Sequence, residues 1–230
     1  MLIAIYVDDI ILSGDDLDEI STLKSFLDSQ FRIKDLGVLN YFLGIEVHYS
    51  DSGLLLHQKK FIHDLLQDFH CDVVSPVTSP LDLSIKLRAD MGTSLPNPEI
   101  YRSLVGKLNF LTNTSLDLSF VVQHLSQFHK APSDCHMKVA LHLLRYLNGI
   151  SILGVFFSSS PDLSLTAFCD SDWEACPDTH RSITGFCILL GGSLLTWKAK
   201  KQPVVSLLSA EAEYRSISKV MVNWCGCCDC

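Results

Sequence analysis

Adjacent carboxylates stand at Asp8 and Asp9, inside IAIYVDDIILSG (residues 3–14). Two like charges side by side repel, and a divalent cation cancels that repulsion far better than water does, because hard carboxylate oxygens suit hard cations. The pair is therefore a candidate metal clamp. A solvated turn is the competing reading, since turns are the usual home of Asp. Further carboxylates cluster late in the chain, in DSDW (Asp170–Trp173) and AEAEY (Ala210–Tyr214). Asp170 ends an alternating run on the face of Thr166 and Phe168, and Asp172 is expected in the following turn. Ile217, Val220 and Trp224 follow Glu213 at helical spacing, which aligns that carboxylate with an apolar stripe. The alternative is a Glu at the margin of the stripe reaching water, since buried Glu is rare. Glu211 is accounted for as first-turn complementation of the helix dipole behind a Ser209 cap.

The elements that must position these groups fall into three segments, 1–90, 91–150 and 151–230. In the first, the Asp8–Asp9 hairpin leads into a helix with Leu17, Ile20, Leu23, Leu27 and Phe31 on one face. Two strand-like runs around Asp51–Gly53 and an amphipathic helix from Lys59 follow. SPVTSPLDLS (75–84) is a loop by its prolines and serines. The second segment is helical, opening with Asn97 as cap and Pro98 as first helical residue. Its apolar sets are Tyr101, Leu104, Val105, Leu108 and Leu111, then Leu118, Val121, Val122, Leu125 and Phe128, then Met137, Leu141, Leu144 and Leu147. The third reads as three strands, LSLTAFCDSDW, TGFCILLGG and SLLTWKAK, and a helix near Ser209. The expected class is mixed α/β (α+β).

Hydrophobic residues make up 47% of the 230, enough to bury a core, and the formal charge is −8, with 18 Lys plus Arg against 26 Asp plus Glu. That balance is poor for gripping phosphates, and Lys198, Lys200 and Lys201 form the one tight basic cluster. Cysteines are scattered singly except in the terminal CGCCDC, so reduced, intracellular thiols are expected rather than a disulfide framework. MLIAIYV lacks the basic start of a signal peptide, and no apolar run is long enough for a membrane span.

In order and spacing, IKDLGVLNYFLGIEV, YRSLVGKLNFLT, LSQFHKAPSDCHMKVALHLLRYLNG, FCDSDWEACPDTHRSITGFCILLGG, WKAKKQPVVS and SAEAEYRS resemble the Pol polyprotein of copia-type retrotransposons, plant ones especially. The resemblance covers nearly the whole chain. It implies a reverse transcriptase palm and thumb remnant (1–90), a helical connection (91–150) and a truncated ribonuclease H-like domain (151–230). By it, Asp8 and Asp9 are the catalytic carboxylates of the Tyr-x-Asp-Asp hairpin that holds Mg²⁺ or Mn²⁺, and Asp170 and Glu213 are the first two metal ligands of the nuclease. Tyr41 to Val47 matches the primer-grip hairpin, with core packing as the alternative for Tyr41 and Phe42. Lys59 and Lys60 touch phosphate or are simply solvated. RNA template, DNA primer and RNA–DNA hybrid are the partners implied for the parent protein.

The resemblance also implies a third polymerase carboxylate before Met1 and two further nuclease Asp residues after Cys230, so both sites are expected to be incomplete and the chain inactive alone. The family's Arg-Pro-Asp appears here as Ser115-Leu116-Asp117, and NWCGCCDC replaces the usual end of the nuclease helix. Two other readings remain: a non-catalytic nucleic-acid- or protein-binding remnant, and a Cys-rich metal module. The Cys-x-x-Cys pairs Cys225 with Cys228 and Cys227 with Cys230 suit zinc, but no second ligand pair is evident, and His57, His63, His136 and His142 are spaced too loosely to supply one.

Overall fold

A computed structural model describes residues 1–82, 85–150 and 154–228, with side chains through Trp224. The chain divides into two compact units, Met1–Leu43 and Gly44–Cys230.

In the first unit, β1 (Leu2–Tyr6) and β2 (Asp9–Ser13) form an antiparallel hairpin in which Tyr6 lies opposite Asp9. The turn is therefore Val7–Asp8, and Asp9 is already a strand residue, so the two carboxylates do not share the hairpin tip. Helix α1 (Leu17–Phe31) starts at Asp16, whose side chain accepts hydrogen bonds from the amides of Asp18 and Glu19, both at 3.0 Å. That satisfies two of the donors a helix start leaves orphaned. The expected stripe on α1 is shallow, with no residue of the helix buried and its end members Leu17 and Phe31 exposed. The short β3 (Tyr41–Phe42) ends the unit.

The second unit opens with the antiparallel strands β4 (Ile45–Ser50) and β5 (Gly53–His57). Gly53 turns the chain at φ 149°, where a Cβ would stand 2.0 Å from the carbonyl oxygen of Phe157, so only glycine fits. Helix α2 (Lys59–Asp68) buries Ile62, Leu65 and Leu66. They join one core with α3 (Pro98–Leu111), α4 (Ser119–Ser126, after a 3-10 turn at Leu116–Leu118) and α5 (Asp134–Gly149). The cap at Asn97 forms as expected, accepting from the Glu99 amide at 3.1 Å. The sets on α3 and α4 are fully buried apart from a slight exposure of Phe128. Inside this core the Tyr101 hydroxyl donates to the Leu125 carbonyl at 2.8 Å, which removes the cost of burying it.

Strand β6 (Gly154–Ser158) pairs with β5, so a strand from the third sequence segment completes a sheet begun in the first. Strands β7 (Leu165–Asp172), β8 (Ile183–Leu190) and β9 (Ser193–Lys201) make a separate antiparallel sheet in that order. Helix α6 (Ser209–Cys228) packs on β7 and β8, where its Val220 meets Phe186 and Ile188 among Leu165, Ala167 and Cys169. Ser209 is the first helical residue rather than the cap. Among the described residues no helix is long and apolar enough to cross a membrane.

Candidate functional site

Strand alternation gives β7 two unlike faces. Leu165, Ala167, Cys169 and Ser171 turn toward α6, while Thr166, Phe168, Asp170 and Asp172 are exposed on the other side. Asp172 closes β7 opposite Ile183, so it is a strand residue and not the turn residue expected from sequence. Two positions along a strand separate the backbones of Asp170 and Asp172 by roughly 6.6 Å, and both carboxylates face the same way. They border a cleft of about 360 Å³ that Leu116, Phe120, Phe168 and Lys198 also line.

Glu213 reaches this strand from the helix side. Its Oε1 accepts the backbone N–H of Ser171, the residue between the two aspartates, at 3.3 Å. The same junction is tied again where the Ser216 hydroxyl donates to the Asp170 carbonyl at 3.0 Å. The buried stripe of α6 is Ala212, Ser216 and Val220, with Ile217 exposed and Glu213 half-buried at the stripe's margin. That differs by one position from the expected alignment of Glu213, Ile217, Val220 and Trp224. Small residues let the helix approach the sheet closely, and the Glu side chain spans the remaining gap. Glu211 keeps the structural role expected of it. It accepts the Leu207 amide at 2.9 Å and pairs with Arg215 at 2.8 Å, and the Arg215 guanidinium beside it holds its carboxyl below the usual carboxylate range.

Sequence reasoning missed Gln202. Fully buried just past β9, its Nε2 lies 3.1 Å from Ser171 Oγ, 3.0 Å from Thr184 Oγ1 and 3.0 Å from the Ala212 carbonyl, while its Oε1 accepts from Ser206 at 3.1 Å. One amide thus joins β7, β8 and the start of α6 beneath the Asp170–Glu213 junction. The available signal was a Gln directly after a strand, facing Ser and Thr at inward positions of its neighbours.

Asp8 and Asp9 are both exposed in the first unit. Between Tyr6 and Asp8, Val7 adopts φ 51°. A β-branched side chain strongly resists that conformation, and such strain collects at functional sites. Tyr6 packs edge-to-face on Phe42 with ring centres 6.5 Å apart, Phe42 is half-buried, and Tyr41 is 53% exposed. In the second unit the side chains of Lys59 and Lys60 are solvated, and the Lys60 amide donates to Glu46 at 2.8 Å.

Carboxylate oxygens are the right donors for Mg²⁺ or Mn²⁺. Their number is short: among the described residues no three His, Cys, Asp or Glu side chains converge into a metal-holding group. The histidines weighed for zinc have other work. His136 caps α5, His142 bonds the Ser79 carbonyl, His57 faces Glu46, and His63 bonds Gln67. The side chains of Cys225, Cys227, Cys228 and Cys230 lie outside the described residues. Cys71, Cys135, Cys169, Cys176 and Cys187 are free thiols.

Comparison with known proteins adds to this geometry. Residues 1–82 match the family model described as reverse transcriptase (RNA-dependent DNA polymerase). An uncharacterized mitochondrial protein of Arabidopsis thaliana is 39% identical over 219 residues, covering 95% of this chain and 90% of that protein. The retrovirus-related Pol polyprotein from transposon RE1 of the same plant is 39% identical over 214 residues, covering 93% of this chain but 15% of its own length. The putative transposon Ty5-1 protein of Saccharomyces cerevisiae is 31% identical over 224 residues, 96% of this chain and 73% of that protein. The chain thus spans about 15% of the Pol polyprotein it matches. No solved structure matches.

Proposed function

We propose, from the premise that this chain belongs to the Pol polyprotein family of copia-type retrotransposons, that it joins the C-terminal part of a reverse transcriptase palm and thumb to a ribonuclease H-like sheet through a helical connection. In the parent polyprotein these parts would serve RNA-directed DNA synthesis on an RNA template and DNA primer, and cleavage of the RNA–DNA hybrid. The observation that supports the nuclease reading is the Glu213 carboxylate on the Ser171 amide, between Asp170 and Asp172. Packing of α6 on β7 sets the Glu213 carboxylate on the backbone between the two aspartates, whose own side chains lie on the strand face away from the helix. A divalent ion held there would orient a water and stabilise the leaving oxygen. Asp170 and Glu213 are the residues that would hold it in the nuclease part, and Asp8 and Asp9 in the polymerase part.

By itself the 230-residue chain is expected to be catalytically silent, because two-metal chemistry needs more converging carboxylates than the described residues bring together. Primer extension and hybrid cleavage, assayed with Mg²⁺ and with Mn²⁺, should both be absent. Template-dependent extension lost on Asp8→Asn, or robust cleavage lost on Glu213→Gln, would overturn that expectation. Titration with paramagnetic Mn²⁺, followed by amide NMR, tests the site without activity. Weak binding should broaden the signals around Asp170 and Ser171 first, and Glu213→Gln should remove the effect. Broadening spread evenly over the acidic surface would sink the nuclease assignment.

A further inference from the structure

The segment SPVTSP, residues 75–80, serves neither candidate site. It lies as a strap along α5. Asn148 Nδ2 donates to the Val74 carbonyl at 3.0 Å, Arg145 Nε to the Ser75 carbonyl at 3.1 Å, and the Val77 amide to the Arg145 carbonyl at 3.4 Å. His142 Nε2 lies 3.0 Å from the Ser79 carbonyl. The side chains of residues 72–76 are exposed. Ser-Pro occurs twice in it and a third time at Ser160-Pro161, and each proline biases the serine before it toward an extended backbone.

We infer that Ser75 is a phosphorylation site for a proline-directed serine kinase, and that Arg145 receives the phosphate. Two observations select Ser75 over Ser79. Among the described residues the Ser75 hydroxyl has no hydrogen-bond partner, whereas the Ser79 hydroxyl donates to the Leu81 carbonyl at 2.7 Å and the Ser160 hydroxyl accepts the Asp162 amide at 3.3 Å. Arg145, already on the Ser75 carbonyl through Nε, pairs with no carboxylate among the described residues, and its two terminal amino groups make no hydrogen bond there. A guanidinium with free amino groups matches phosphate bidentately. Asp72 and the C-terminal dipole of α5 oppose an added anion. Both act through exposed, screened space, and a two-pronged charge-assisted contact outweighs them.

In the transfer, Ser75 Oγ bonds to the γ-phosphorus of Mg·ATP as the bond from that phosphorus to the β–γ bridging oxygen breaks. ADP leaves, and the hydroxyl proton passes to the kinase's base. The product carries about −1.5 to −2 charge at neutral pH and ties the strap to α5.

The test is incubation of the full chain with an active proline-directed kinase and Mg·ATP, followed by peptide mapping and thermal melting. One phosphate on Ser75 is expected, lost in Ser75→Ala and kept in Ser79→Ala and in Ser160→Ala. Phosphorylation should raise the Tm by roughly 2–4 °C. Comparing modified with unmodified protein within each variant, the rise should vanish in Arg145→Ala and shrink in Arg145→Lys, which keeps the charge but not the fork. No incorporation, incorporation that survives Ser75→Ala, or a full rise in Arg145→Lys would overturn the inference. None of these outcomes depends on the nuclease assignment.

Discussion

His136 shows how one residue couples packing to pH. It is fully buried, stacked on Phe128 with ring centres 3.9 Å apart, and its Nε2 lies 3.0 Å from the Arg88 carbonyl. A carbonyl only accepts, so Nε2 carries the proton, and Nδ1 is left free to accept the Ser133 amide at 3.0 Å. A second proton on Nδ1 would face that N–H and break the capping box of α5. Burial, the largest effect, pushes the His136 pKa below its ordinary 6.5, although the Arg88 carbonyl, Asp134 and Asp178 oppose it. The unfolded chain therefore binds the extra proton more readily than the folded one. Stability contributed by neutral His136 is whole above pH 6.5 and is lost as pH falls below 6.5 toward the folded value. Urea melts at pH 7.5, 6.5 and 5.5 should show stability falling toward low pH, with a contribution from this residue that stays under about 1.4 kcal/mol per pH unit. His136→Gln should flatten that slope even where it lowers stability throughout. An unchanged slope would reject the coupling. Nothing in the sequence separates this histidine from its eight fellows, because its burial depends on long-range partners at Arg88 and Phe128.

At the scale of elements, legibility followed the size of the buried side chains. On α3 and α4 large apolar residues face the core and periodicity found them. On α5 the reading chose Met137, Leu141, Leu144 and Leu147, of which the last two are fully buried, yet the deeply buried positions also include His136, Val139, Ala140 and Leu143. That helix packs against α2, α3 and α4 together, so its buried face is wider than one stripe. On α6 close approach to the sheet selects Ala212 and Ser216, which carry little hydrophobic signal. The meeting of α6 with β7 was thus legible, while the contact of Glu213 with a backbone amide at the stripe's margin was not. The same contrast between deep and shallow faces predicts energetics. Leu108→Ala should cost about 2–5 kcal/mol by leaving a cavity in the fully buried core. Leu17→Ala on α1, where Leu17 is 76% exposed, should stay within about 0.5 kcal/mol. Urea unfolding measures both, and comparable losses would contradict the shallow packing of α1.

For the whole molecule, the decisive quantity is positive charge that is free to meet phosphate. The formal charge is −8, and the basic cluster is smaller than it looks in sequence, since the half-buried Lys201 is turned inward, with Nζ 3.2 Å from Cys176 Sγ and bonded to Gln127. Lys198 and Lys200 on β9, and Lys59 and Lys60 at the start of α2, remain exposed and without ion pairs among the described residues. Each phosphate neutralised releases less than one counterion, so two to four such lysines give a log–log salt slope of roughly −2 to −4 for binding to an RNA–DNA hybrid. The surrounding acidic surface lowers affinity further by repelling the duplex. Fluorescence anisotropy with a labelled hybrid should therefore give a Kd weaker than about 1 μM at physiological salt. Lys198→Ala combined with Lys200→Ala should remove most of the salt-dependent part. Submicromolar binding that persists at physiological salt and survives the double substitution would require a contact surface not built from these lysines. It would favour a non-catalytic binding role over the weak residual grip expected on the proposed polymerase and nuclease reading.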